Sequence, residues 1–127
     1  MPEEAPRRLL LRFWVVAHFA TTLAHFVHNA VMLCRYPGLP ESWTPFCILA
    51  SWFLLAGPGL AGWILLDRGK MGPAASAFNV FGILGFAGLL HFLFAPPGDH
   101  STAMLAAIGA EAFTGAGLLL TAARESC

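Results

Sequence analysis

The sequence predicts an all-α membrane protein, a four-transmembrane-helix antiparallel bundle with both termini on the same side. Three observations predict it. Of the 127 residues, 57% are hydrophobic and only 11% are charged, whereas a soluble domain carries about a quarter charged residues. Apolar segments recur four times, each of about 20 residues and long enough to cross a hydrocarbon core of about 30 Å. The breaks between them are short and rich in proline, glycine and charge. The chain 1–127 therefore reads as a single transmembrane domain with spans at about 9–34, 45–66, 73–95 and 101–123.

Met1–Pro6 is a short polar tail with no structural signal. The first span follows Arg7, Arg8 and Arg12, as a secretory signal would. It is too long for a signal core, is interrupted by histidines and lacks a small-residue cleavage site, so it reads as a retained transmembrane helix. It ends at Cys34, before a loop made by Pro37-Gly38-Leu39-Pro40, and Tyr36 and Trp43 flank that loop as interfacial aromatics. Thr44 as N-cap and Pro45 at the first helical position start the second span. Within it, Pro58 between Gly57 and Gly59 predicts a kink.

Asp67-Arg68-Gly69-Lys70-Met71-Gly72 is a tight charged turn, and Pro73 opens the third span. Gly82, Gly85 and Gly88 recur every third residue along it, a strip on which another helix can pack closely. Ala95-Pro96-Pro97-Gly98 closes that span, and Asp99 is placed as N-cap of the fourth. Cys34 and Cys47 fall at one rim, within reach of a disulfide or as two separate thiols, whereas Cys127 has no assigned role.

Six of the seven basic residues, Arg7, Arg8, Arg12, Arg68, Lys70 and Arg124, lie on the side of the N-terminus, and only Arg35 lies opposite. The positive-inside rule then makes both termini cytoplasmic, as expected of a protein of the bacterial cytoplasmic (inner) membrane. A net charge of zero gives no case for a nucleic-acid partner. The expected partners are the lipid bilayer and either further copies of the chain or a larger membrane complex.

Within the first span, His18, Thr22, His25 and Asn29 fall within about 60° of one another on a helix, with Thr21 and His28 on the adjoining flank. Matching antiparallel spans at about 1.5 Å per residue places His25 roughly 13 Å below the outer edge and Glu111 roughly 15 Å below it. Glu111 is the one formally charged residue deep in a span. His28 and Asn29 lie one turn higher, His91 lies nearer the rim, and Asp99 and His100 stand at the rim itself. His18 matches Asn79 lower down, where a packing hydrogen bond suffices. The second span offers no comparable group.

An ionisable group facing lipid costs at least ~2.5 kcal/mol near the midplane, so these groups are expected to turn inward and meet. Three kinds of function suit such a cluster. His25, His28, His91, His100 and Glu111 form a ligand set for a transition-metal ion (Zn, Cu, Fe or Ni), supported by Asn29, Thr22 and Asp99. Haem b, held by His25 or His28 opposite His91 beside Gly85 and Gly88, is a variant of that reading. Alternatively, Glu111 and His25 are the acid–base pair of a membrane-embedded enzyme, or of a proton-linked carrier, for a lipid-soluble small molecule. The third kind is an accessory subunit whose polar residues only join helices.

Overall fold

A computed structural model describes residues 4–125. All regular structure among them is helical, and four helical stretches are long and apolar enough to cross a membrane. Helix α1 spans Glu4–Val31, and a 3₁₀ turn at Leu33–Arg35 follows it. Helix α2 spans Pro45–Asp67 and α3 spans Met71–Leu84. The third stretch continues through a 3₁₀ segment, Ala87–Leu90, into the short α4, His91–Phe94. Helix α5 spans Thr102–Ala123. Packing runs from α1 to α2, α2 to α3, α3 to α5 and α5 back to α1, which closes a four-membered bundle.

Local chemistry explains most of these boundaries. The Thr44 hydroxyl accepts from the Cys47 amide at 3.2 Å, and Pro45 opens α2 with the one amide a helix start can spare. The chain turns after α2 at Gly69 with φ +72°, a conformation that suits glycine. Helix α5 begins on Ser101, whose hydroxyl accepts from the Met104 amide; Asp99 sits two residues earlier in a 3₁₀ turn and stays exposed. The cap expected at Asp99 thus belongs to Ser101, the residue adjoining the first helical amide.

Other boundaries also depart from expectation. Helix α1 begins at Glu4, inside the expected tail, and α3 begins at Met71, with Pro73 tolerated in its first turn. Helix α2 continues through Pro58, where the sequence predicts a kink and not a break. An interruption lies in the third stretch, between Leu84 and His91, where backbone bonds tighten to the 3₁₀ pattern around Gly85 and Gly88. Cys34 and Cys47 are exposed free thiols, and Cys127 lies outside the described residues.

The interior has two storeys. Near the end that carries Asp67–Lys70, Leu11, Val15, Leu66, Ala74, Ala75, Phe78, Phe81, Leu118 and Ala122 make a dry apolar core. Arg12 braces that end by pairing with Asp67 at 2.8 Å. Toward the opposite rim the buried residues turn polar: His18, Thr22, His25, Asn29, His91, His100, Glu111 and Thr114. Meanwhile Phe46, Phe53, Leu54, Leu93, Phe113 and Leu120 face outward and are largely exposed. An apolar exterior around a polar centre reverses the order of a water-soluble fold, and it suits lipid as the surrounding solvent.

Candidate functional site: a buried His25–Glu111 pair beside an apolar cavity

Helix α1 presents His18, Thr22, His25 and Asn29 to the interior, as the helical period requires, and α5 presents Glu111 from the facing side. His25 Nδ1 is hydrogen-bonded to Glu111 Oε2, and both residues are at most 2% exposed. Gly88 makes the contact possible. A Cβ there would stand 2.7 Å from Glu111 Oε2 and 2.9 Å from His25 Cε1. The glycine strip is therefore divided in use: Gly82 lies against the backbone of Gly115 on α5, Gly85 makes room for the His18 ring, and Gly88 makes room for the pair.

Above the pair, His91 lies 5.5 Å from His25 and 4.9 Å from Tyr36, centroid to centroid. The Asn29 side-chain amide donates to His91 Nε2 at 3.2 Å. His100, 6.2 Å beyond His91, donates from Nδ1 to the Pro96 carbonyl at 3.1 Å. Four side-chain atoms in this group are buried without a hydrogen-bond partner: His25 Nε2, Asn29 Oδ1, His91 Nδ1 and His100 Nε2. Leaving one such atom unpaired costs roughly 1–3 kcal/mol, so these four call for partners beyond the side chains of the cluster, such as water or an ion.

Tyr36 is the residue that the sequence reading placed elsewhere. Rather than standing at an interface, it folds back over the cluster, 5% exposed, and its hydroxyl bonds His28 Nδ1 at 2.8 Å. Burial, with the Glu111 charge second, pushes its pKa up to about 12, so the phenol keeps its proton. His28 is thereby turned aside onto Tyr36 and is only half-buried, whereas His25 is directed inward.

About two turns below His25 on α1, His18 donates from Nε2 to the Phe81 carbonyl at 3.1 Å. That fixes Nδ1 as the acceptor for the Thr114 hydroxyl at 2.9 Å, and Thr114 in turn receives Thr21 at 2.7 Å. The expected partner, Asn79, is absent from this set, because Phe81 and Thr114 take both ring nitrogens. Thr22 likewise serves α2: its hydroxyl accepts from Trp52 Nε1 at 3.1 Å and donates to the Phe19 carbonyl. Helix α2 therefore contributes a structural polar tie through Trp52, and no histidine, asparagine or carboxylate to the cluster.

Beside the cluster lies a cavity of about 550 Å³, within the range of small-molecule sites. His25, Asn29 and His91 on one side and Ser51 on α2 are polar residues in its lining, and Gly88 adjoins them. Its other walls come from α2 (Cys47, Ile48, Ser51, Leu55), from Trp43, and from Leu90, Leu93 and Phe94. Leu93 is 79% exposed, so this wall also faces outward. The cavity thus separates the upper part of α2 from residues 87–94 and adjoins the apolar exterior.

The structure gathers His25, Glu111, His91, Asn29 and His100, sends His28 to Tyr36 and Thr22 to Trp52, and leaves Asp99 exposed. Among the described residues, no three or more His, Cys, Asp or Glu side chains are arranged to hold a metal ion. Sequence reasoning missed Tyr36, Trp52, Thr114 and the cavity. Of these, Tyr36 alone left a signal, an aromatic hydroxyl eight residues beyond His28 across a Pro-Gly turn. Compared with family models, curated proteins and solved structures, the chain matches none.

Proposed function

We propose that the chain is an integral protein of the bacterial cytoplasmic membrane, termini inward, whose His25–Glu111 pair performs acid–base chemistry on a lipid-soluble small molecule. The observation that carries this reading is the position of His25. It is held through Nδ1 by a buried carboxylate, has an unpartnered Nε2, and lines an apolar cavity. Glu111 orients the imidazole and stabilises its charged form, and Nε2 exchanges a proton with the bound molecule. The apolar walls favour a ligand that arrives from the bilayer. The basic residues at the far end support an orientation with the cavity in the outer half of the membrane. The dry core beneath it supports a site served from one side, as an enzyme needs, over a through-passage for a carrier.

The test is to incubate the purified protein, in nanodiscs, with a total lipid extract and to compare products by mass spectrometry. The wild type is expected to change at least one apolar compound that His25→Gln and Glu111→Gln leave untouched. Identical profiles for all three proteins would remove the proposal.

A second reading, a transition-metal site, is favoured by the unpartnered imidazole nitrogens of His25, His91 and His100. It predicts about one equivalent of zinc or cobalt retained after dialysis and lost in His91→Phe. Retention unchanged by that substitution would dispose of it.

A further inference from the structure

We infer that His25 Nε2, His91 Nδ1 and His100 Nε2 hold a single copper(I) ion in a three-coordinate site, with Glu111 as counter-charge rather than ligand. This rests on the transition-metal reading of the cluster and names its ion. In it, His25 Nε2 is a ligand and not a proton carrier.

The three nitrogens share a pattern. Each is buried without a partner, and each belongs to a ring whose other nitrogen is tied. His25 Nδ1 faces the Glu111 carboxylate, His100 Nδ1 the Pro96 carbonyl, and His91 Nε2 the Asn29 side-chain amide. An acceptor behind the ring is the usual setting of a metal-ligating histidine, because it fixes the N–H on one nitrogen and the lone pair on the other. A proton relay asks for the opposite, both nitrogens of each ring free to pass a proton on. The tied nitrogens of His91 and His100 end on an amide and a carbonyl, which hand nothing on.

Asn29 completes the set. With its amide turned over, Oδ1 accepts from His91 Nε2–H, and the lone pair of the ring lies on Nδ1. One ion and that one turn supply partners for all four buried atoms, His25 Nε2, His91 Nδ1, His100 Nε2 and Asn29 Oδ1. The amide N–H₂ then takes the place that Oδ1 leaves.

Room and spacing favour an ion over a water. The four atoms are closed off from the cavity, so their partner sits among the rings. A metal–nitrogen bond of about 2 Å is shorter than the ~2.9 Å of a hydrogen bond to water. Three imidazoles at 120° around such an ion have ring centroids about 5.5 Å apart. His25 and His91 stand at 5.5 Å, and His91 and His100 at 6.2 Å. Among the described residues no three such side chains are set to hold an ion as they stand. Binding therefore has to close the wider pair by roughly 1 Å, within reach of side-chain rotation.

Charge selects copper(I). A buried charge needs compensation, and Glu111 is the one buried carboxylate among the described residues. The imidazoles ligate as neutral groups, so a singly charged ion and the carboxylate sum to zero. A divalent ion leaves a positive charge over and asks for a fourth ligand, which a site closed to water does not supply. Copper is an ion that imidazole binds, and in its singly charged form it accepts three ligands.

The test uses the full chain in nanodiscs with its three cysteines replaced by serine, since thiolates bind copper(I) by themselves. Copper(I) is supplied without oxygen, in ascorbate, as its coloured bicinchoninate complex. The protein is expected to bleach that complex by about one equivalent, and X-ray absorption should show three imidazole nitrogens around the ion. His91→Phe and His100→Phe should each weaken uptake about 100-fold or more. Glu111→Gln keeps an acceptor on His25 Nδ1 and removes the charge, so it should weaken uptake about ten-fold and carries the test where a ring variant fails to fold.

Uptake equal in wild type and both ring variants overturns the site, and uptake unchanged by Glu111→Gln overturns the counter-charge. A four-coordinate zinc or cobalt ion held more tightly than copper(I) overturns this inference alone and leaves the metal reading standing. A protein that takes up none of the three ions removes both.

Discussion

Tyr36 is the only tyrosine in the chain, which makes its ionisation directly measurable by phenolate absorbance. Its pKa, pushed up to about 12 by burial and then by Glu111, compares with about 10 for a free phenol. In the folded state the ring therefore holds its proton across an interval in which the unfolded chain has lost it. The unfolded state then binds fewer protons, so stability falls as pH rises through that interval, and the contribution is complete below it. The expected titration has a midpoint near 12 in the folded protein. A midpoint at the free-phenol value would mean that Tyr36 does not cover the histidines. Residue identity alone said little here: a tyrosine near a membrane rim reads as an anchor, and only its fold-back over His28 and His91 makes it part of the site.

At the scale of the element, the third stretch is the instructive one. A proline between two glycines in α2 is the stronger breaking signal in the sequence, yet α2 continues through it. The third stretch, with no proline in its interior, is the one that tightens into 3₁₀ geometry. Close approach explains the choice of glycine there, because His18 and the His25–Glu111 pair occupy the space that side chains at positions 85 and 88 would fill. Gly88→Ala should therefore displace His25 or Glu111 and cost about 1–3 kcal/mol, with loss of conversion in the lipid-extract assay. Gly72→Ala, at a glycine with open space around it, is the matched control. Denaturation in mixed micelles reads the difference; equal stability and activity for the two variants would show that Gly88 is not needed for the pair.

Over the whole molecule, the two storeys divide labour. Phe78 is fully buried in the dry one, with its ring against Gly62. Phe78→Ala should cost on the order of 2 kcal/mol, the low end for a core cavity, because lipid already solvates unpacked apolar faces. The same variant should leave conversion in the lipid-extract assay and the Tyr36 titration unchanged, since neither touches that core. Reversible unfolding and that assay on one preparation measure both. A loss of conversion equal to that of His25→Gln would show that the storeys are coupled rather than separate.

The sequence by itself determined the number of apolar helices, their alternation with tight polar turns, and the inward stripe of His18, His25 and Asn29. Helix length, turn chemistry and the helical period are local and readable in a single chain. Depth matching also paired His25 with Glu111, because rise per residue is fixed and buried ionisable groups seek one another. The tertiary structure decided the rotations, and with them the partners: His28 on Tyr36, His18 on Phe81 and Thr114, Thr22 on Trp52, and Ser101 rather than Asp99 at the head of α5. It also decided where the helices fail to meet. A cavity between α2 and residues 87–94 is the absence of a contact between segments some 40 residues apart, and no local pattern encodes an absence.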